Sequence, residues 1–368
     1  MTATPVRTGT GAVAEAVAAR LDTDGWAGAD PYDGLTSPLA RLLPGRTARQ
    51  ALTQLVKRSP FDPRPVLGIR PRRMAMTTGL GATACARLDG DGWAARRDRL
   101  AAWTLAARIT DGPDAGLWGY EFDVQTRWGF YPAGSANIVA TTFAADGCLD
   151  AGLIGAAAGL GRALLDRLGR DGWFAYTPGS GRLIHNGSLL GAALAVRLAG
   201  LVTGSLATEL REAAGRALAT TLAAQRPDGA WPYGEGDGLG WVDGFHTAYV
   251  LLRADAVATG LGIDAGEALD KGAACYFGRM FDGGRPRYHL DGPDHPDANN
   301  VATGLRAAVW GAATGRAPAS LPDRVLDHLL TVYADGEGGF RPSPRARVRW
   351  PRWADVPALD ALTAYLTR

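Results

Sequence analysis

The sequence predicts an all-α protein, a single (α/α)6 toroid in which a ring of inner helices is wrapped by a ring of outer ones. Three observations carry this. Alternating apolar and polar runs are almost absent and β-branched residues are sparse, while apolar spacing of helical period recurs along the chain. One turn type keeps returning: an Asp-Gly pair followed by a large aromatic, as in "TDGW" ending at Trp26, "GDGW" at Trp93, "RDGW" at Trp173 and "PDGAW" at Trp231. Long glycine-rich loops precede alternate helices at uneven intervals. That fits a closed ring better than an open solenoid, which repeats at a short fixed period.

In order along the chain, periodicity predicts helices over about 11–21, 47–57, 71–88, 94–110, 136–149, 151–168, 185–202, 206–225, 243–259, 264–281, 297–314, 320–334 and 354–367. About a dozen helices make six pairs. The Asp-Gly turns between them use glycine for its tolerance of positive φ, and the aromatic is expected to fold back as a plug between neighbouring helices. Residues 1–368 are read as one domain, with 1–45 as an N-terminal arm and 341–353, "RPSPRARVRWPRW", as an Arg-rich closing loop. If that loop closes the ring beside the first helices, Arg349 and Arg352 reach the mouth.

Bulk composition limits the function classes. The chain has 368 residues, 46% of them apolar, and a formal net charge of +2 from 39 basic and 37 acidic residues. Nothing in that charge supports a nucleic-acid partner. The three cysteines, Cys85, Cys148 and Cys275, are scattered and form no CxxC pair, which argues against a disulfide framework and a cysteine-rich zinc site. No segment has the ~18 uninterrupted apolar residues of a membrane span, and the start of the chain has no apolar signal core. A cytoplasmic location is expected. No Walker motif, Rossmann fingerprint or GxSxG elbow is present, so no cofactor and no metal are expected.

Four stretches share a plan of turn, aromatics, polar residues and then a helix of small residues. They are Leu117–Gly147, Asp171–Gly200, Gln225–Leu252 and Gly283–Gly311. If the helices that follow form the inner ring, their N-termini converge on one mouth, each with unpaired N–H groups and partial positive charge that would attract an anionic or strongly polar ligand. Candidate catalytic residues are Glu235, His246, His185, Asp243 and Tyr131. Candidate substrate-binding residues are Tyr120, Asp123, Arg127, Trp128, Tyr176, Asn186, Trp231, Tyr233, Trp241, Tyr249, His295 and Asn299. Asp243 also fits a plain N-cap with His246 at N3; the Trp and Tyr residues also fit packing plugs, and His185 a structural histidine. Four clusters of one layout, each holding Tyr with His or a carboxylate, favour a site over capping alone.

The "QRPDGAW" turn resembles the QW-type turns of terpenoid cyclase and protein prenyltransferase toroids. The wider pattern resembles a bacterial group with that toroid signature, often encoded near glycosyltransferases. Its pieces here are "DPYDGLTSPL" (Asp30–Leu39), "RSPFDPRPVLGI" (Arg58–Ile69), "WGYEFDVQTRWGFYPAG" (Trp118–Gly134), "LIHNGSLLGAAL" (Leu183–Leu194), "DGAWPYGE" (Asp228–Glu235) and "WVDGFHTAYVL" (Trp241–Leu251). They span most of the chain and imply the toroid. Two places depart from the group's pattern: Asn186-Gly187-Ser188 stands for Asn-Ala-Asn, and "HPDANNVA" stands for a Pro-Ile-Asp-Ile-His-Ser run. Both lie at the expected mouth. "GFYPAGSANIVATTF" and "WVDGFHTAYVLL" also resemble, loosely, the helical domain of glucuronyl C5-epimerases and polysaccharide lyases, which move protons beside a carboxylate with Tyr, Glu, His and Arg.

The leading expectation is a cofactor-independent enzyme that transfers protons at carbon in a sugar or glycoconjugate, as an epimerase, isomerase or lyase. A base among Glu235, His246 and His185 would take the proton. A tyrosine among Tyr131, Tyr176 and Tyr233 would return it from the other face, and Arg127 would pair with a carboxylate. The alternative is a terpene or polyene cyclase that lacks the DxDD acid and uses Asp123, Asp243 or Glu235 instead, its aromatics guiding a cation. "DTDG" at Asp22–Gly25 is related to that motif but falls in an expected surface turn. A zinc prenyltransferase would need Cys275 and His246 to converge with an Asp. A non-catalytic carbohydrate-binding toroid would keep the aromatics and leave the carboxylates as caps. In every case the partner is a small molecule, sugar-type or isoprenoid.

Overall fold

Regular structure among the described residues is almost entirely helical. The computed structural model describes residues 5–59, 61–126 and 129–368. The helices are α1 (Pro5–Thr23), α2 (Gly45–Arg58), α3 (Ala75–Cys85), α4 (Asp91–Ala106), α5 (Ile138–Asp150), α6 (Ala157–Leu168), α7 (His185–Ala199), α8 (Ser205–Ala223), α9 (Gly244–Leu261), α10 (Gly266–Arg279), α11 (Ala298–Ala313), α12 (Leu321–Tyr333) and α13 (Asp355–Leu366). Strands occur as two-residue antiparallel pairs, for example Val124–Gln125 with Phe130–Tyr131 and Gly169–Arg170 with Trp173–Phe174. They pin the loops ahead of inner helices. No helix among the described residues is long and apolar enough to cross a membrane.

The helices close into the expected toroid. α3, α5, α7, α9, α11 and α13 pack each on the next, and α13 packs back on α3. Outside them, α4 lies on α3, α8 on α7, α10 on α9 and α12 on α11, while α6 packs against α7 and α8. The sixth outer position is taken by α1, which packs on α13. The first part of the expected arm is therefore an element of the ring. α2 stands outside it, against the short 3-10 helix Asp33–Thr36 and the strand at Val124–Gln125.

Small residues let the inner helices approach at backbone distance. A Cβ placed on Gly79 of α3 would come within 2.3 Å of the Phe143 carbonyl oxygen on α5, and one on Gly147 within 2.2 Å of the Gly79 carbonyl oxygen. Glycine at both positions is a steric requirement there.

The recurring aromatics plug the seams, and three follow one plan. Trp26 donates its indole N–H to Asp22 of α1 (2.9 Å), Trp118 to the Thr104 carbonyl of α4 (2.7 Å) and Trp231 to the Thr221 carbonyl of α8 (2.9 Å). Each ring thus folds back on the outer helix before it. Trp26 covers Gly81 of α3 and Trp231 covers Gly272 of α10, where a Cβ would come within 2.3 and 2.2 Å of the indoles. Trp93 departs from the plan: "GDGW" runs into the first turn of α4.

The start of α3 has no cap of its own at Met74. Glu121 caps it from a distant loop and accepts the Ala75 N–H at 2.5 Å. The other carboxyl oxygen of Glu121 is buried without a partner, and burial raises this group's pKa to about 7.

Two outcomes follow from this packing. Gly79→Val forces α3 from α5 and is expected to cost roughly 3 kcal/mol or more, read from denaturant midpoints. Glu121 binds its proton more tightly folded than unfolded, so its protonation favours folding, and stability falls as pH rises from about 4.5 to about 7. Glu121→Gln keeps an acceptor for Ala75 and escapes that fall. Its stability relative to the parent chain is expected to rise between pH 4 and pH 8, by on the order of 2–3 kcal/mol, as measured by urea titration at each pH.

Candidate functional site

The first turns of α3, α5, α7, α9 and α11 share one cavity of about 640 Å³, to which they contribute Met76, Val139, Asn186, His246 and Asn299. Residues further along the same helices share a second cavity at the other end. The inner helices therefore run in one direction, and the loops that precede them crowd the mouth of the first cavity.

The helix starts at this mouth are not bare. Asn137 caps α5, Asp243 caps α9 and Asp297 caps α11, each by accepting backbone N–H groups of the first turn, and Glu121 caps α3. The first N–H of α7, at His185, goes to the Tyr233 carbonyl, and that of α9, at Gly244, to the Tyr288 carbonyl. The expected set of unpaired donors is replaced by satisfied ones with carboxylates among them, so helix ends by themselves do not make this mouth an anion site.

Asp243 does more than cap. One carboxylate oxygen accepts the His246 backbone N–H at 2.7 Å and the other accepts His246 Nδ1 at 2.7 Å. With Nδ1 as donor, Nε2 is the nitrogen left for the cavity. The Asp243 side chain is fully buried and that of His246 is about one fifth exposed. Three rings fix the imidazole edge-on: Tyr233 at 4.6 Å, Phe245 at 4.7 Å and Trp241 at 5.6 Å between centroids. Tyr233 stacks on Trp241 at 4.2 Å.

Phenols gather two places round the ring, ahead of α5 and α7. Tyr120 and Tyr176 share a hydroxyl hydrogen bond of 3.2 Å, and Tyr131 packs against both rings at 6.3 and 5.5 Å. Burial raises all three, with Tyr131 at about 12. Burial raises Tyr233 and Tyr288 also. These hydroxyls keep their protons at neutral pH and can donate them.

The closing loop reaches the cavity through Arg352 and Trp353. Arg352 pairs bidentately with Asp30 at 2.5 and 2.9 Å and lies over the Tyr120 ring. Trp353 donates to Asp297 at 2.8 Å and packs on Tyr32 and Phe245. Arg349 lies elsewhere, beside Asp24, Asp335 and Asp355.

Of the residues named from sequence, Asp243, His246, Tyr131, Tyr120, Tyr176, Asn186, Tyr233, Trp241, Tyr249, His295 and Asn299 line this cavity. Four do not. Glu235 is exposed on the loop before α9. His185 is fully buried within the wall, turned outward so that Nδ1 meets Thr221 of α8 at 3.3 Å; burial lowers it to about 4, so it stays neutral. Asp123 holds the Ala133 N–H at 2.8 Å. Trp231 is the buried plug over Gly272. Arg127 and Trp128 lie outside the described residues. Cys275 sits buried on the outer helix α10, away from His246.

Sequence reasoning missed His289, Tyr288, Tyr32, Phe245 and Lys57, all on the cavity. Tyr288-His289 stand in the fourth cassette, so the Tyr-plus-His signal was present. Tyr32 and Lys57 come from segments outside the cassettes; Tyr32 stands in the Asp30–Leu39 stretch singled out above, whereas no local signal marks Lys57.

No family model matches the chain, and no curated protein matches it. Solved structures do match, as folds. A sugar epimerase from a ruminal bacterium aligns with a TM-score of 0.63 at 10% identity, over 82% of this chain and 90% of that one. An unsaturated glucuronyl hydrolase from Bacillus sp. GL1 aligns at 0.56 and 16%, over 78% and 84%. The type II terpene cyclase MstE from Scytonema, bound to geranylgeranyl dihydroxybenzoate, aligns at 0.53 and 16%, over 79% and 88%. At these identities the chain shares with them the α/α-toroid fold.

Proposed function

We propose that this chain is a cofactor-independent enzyme that moves a proton at a carbon atom of a sugar-type substrate held in the mouth cavity, as an epimerase, isomerase or lyase. The observation that carries this reading is the Asp243–His246 pair: a histidine on the cavity wall whose inner nitrogen is engaged by a buried carboxylate. Such a histidine is oriented and ready to act as base through Nε2. Its partner is a protonated phenol on the same cavity, Tyr131 above all. His246 takes the proton from a carbon beside a carbonyl or carboxylate, and the carbon's electron pair moves onto that group's oxygen. A phenol then delivers a proton to the opposite face, which inverts the centre; alternatively the electron pair expels a neighbouring leaving group, which makes an alkene. Trp241, Tyr233 and Tyr288 offer ring surfaces for sugar C–H groups. Fold neighbours named as a sugar epimerase and a glucuronyl hydrolase lend support.

A second reading, a terpene-type cyclase, draws on the aromatic walls, which suit a migrating cation, and on the neighbour named as a terpene cyclase. Of the three acids considered for it, only Asp243 lines the cavity, and its oxygens are committed to His246.

The test is solvent-isotope exchange. Uronic acid glycosides, sugar nucleotides and a set of isoprenoids are incubated with the protein in D2O and analysed by mass spectrometry. Deuterium is expected at one carbon of a sugar-type substrate. His246→Ala is expected to lower its rate by about 10²–10⁴-fold, and Asp243→Asn to lower kcat more than it changes KM. Undiminished exchange in His246→Ala, or turnover of isoprenoids alone, would overturn the reading.

A further inference from the structure

We propose that the end of the ring opposite the mouth binds a small molecule bearing a phosphate group. The cavity there is about 480 Å³ and lies among the later turns of the inner helices. Four guanidinium groups line it: Arg87 just after α3, Arg197 on α7, Arg253 on α9 and Arg306 on α11. Three carboxylates face them, Asp146, Asp150 and Asp360, which leaves one cation in excess.

The carboxylates are fully engaged. Asp360 takes Arg87 at 2.7 Å and Arg306 at 2.8 Å. Asp146 takes Arg197 at 2.6 Å and Arg253 at 3.1 Å. Asp150 takes Arg197 at 2.7 Å and the Thr83 hydroxyl at 2.7 Å. The cations are not. Arg306 gives only Nη1 to protein and Arg253 only Nη2. Their remaining N–H edges have no protein partner among the described residues. Burial and the charges of Arg87 and Arg253 work against the charge on Arg306, with Asp360 alone among the nearby carboxylates supporting it, so a bound anion would add attraction that offsets them.

Arg87 and Arg197 stand at the ends of α3 and α7, where they also complement the negative dipole ends, whereas Arg253 and Arg306 stand about two turns before the ends of α9 and α11. A network serving only that purpose would collapse onto itself, yet here it rings an open space. The donors approach from different helices round the ring. A tetrahedral oxyanion accepts from several directions at once, whereas a planar carboxylate accepts best from one fork. Leu80, Leu252 and Pro357 on the same walls suit the rest of an organic phosphate. Phe143 and Tyr249 line both cavities and form the partition between them. Tyr249 packs on Phe245 at 5.2 Å and Phe245 on His246 at 4.7 Å on the mouth side of that partition. The site stands whichever reaction the mouth performs.

Inorganic phosphate is the probe, titrated by calorimetry at constant ionic strength against chloride. The parent chain is expected to bind one phosphate saturably. Arg253→Gln, which leaves Asp146 paired with Arg197, and Arg306→Met are each expected to weaken binding at least tenfold, while His246→Ala binds as the parent does. Absence of saturable binding overturns the proposal. So does parental affinity in Arg253→Gln, which decides the question even if Arg306→Met fails to fold. So does loss of binding in His246→Ala, which would place the phosphate in the mouth.

Discussion

Everything about the site depends on ring closure with the inner helices held parallel at close range. Each inner helix touches two others, and α13 returns to α3. Only then do five helix starts and their preceding loops share one hollow. Glycine makes this closure possible where backbone meets backbone, as at Gly79 and Gly147. Tryptophan completes it by filling seams over Gly81 of α3 and Gly272 of α10, its indole N–H satisfied by the outer helix before it. The two devices are complementary: bulk is removed where backbones meet and supplied where seams would open.

Closure has an electrostatic cost, because parallel helices bring like ends together. The chain answers differently at the two ends. At the N-terminal end it supplies carboxyl caps, Asp243, Asp297 and Glu121, which satisfy the N–H groups exposed there. At the C-terminal end it supplies arginines bridged by aspartates. Asp243 shows how a cap becomes machinery. A carboxylate has two oxygens; capping uses one, and the other reaches the imidazole of the residue three positions on. One buried group thereby fixes both a helix start and a ring nitrogen.

Much of the fold was legible in the residues. Helical period and the Asp-Gly-aromatic turns are local properties, and they placed the helices and their alternation to within about six residues. α1 was the exception, assigned to an arm because a helix at the chain start shows no sign of the partner, α13, that it meets more than 300 residues later. For the site, the cassettes pointed at the right loops but did not sort their members. His185 and His246 each stand in the first turn of an inner helix after a loop of similar composition. One turns outward to Thr221 and the other inward to the cavity. Trp231 and Trp241 differ in the same way: one is a plug, the other a wall.

The sequence by itself determined where helices run, which of them are small enough for an inner ring, and which loops carry aromatic and titratable residues, because period, steric size and turn chemistry act over a few neighbouring positions. Tertiary structure alone decided which way each side chain faces, since that depends on the rotation of a helix within a closed circle. It alone also brought Tyr32, Lys57 and Arg352 from distant segments to the one cavity, because contacts between residues hundreds of positions apart exist only once the ring has closed.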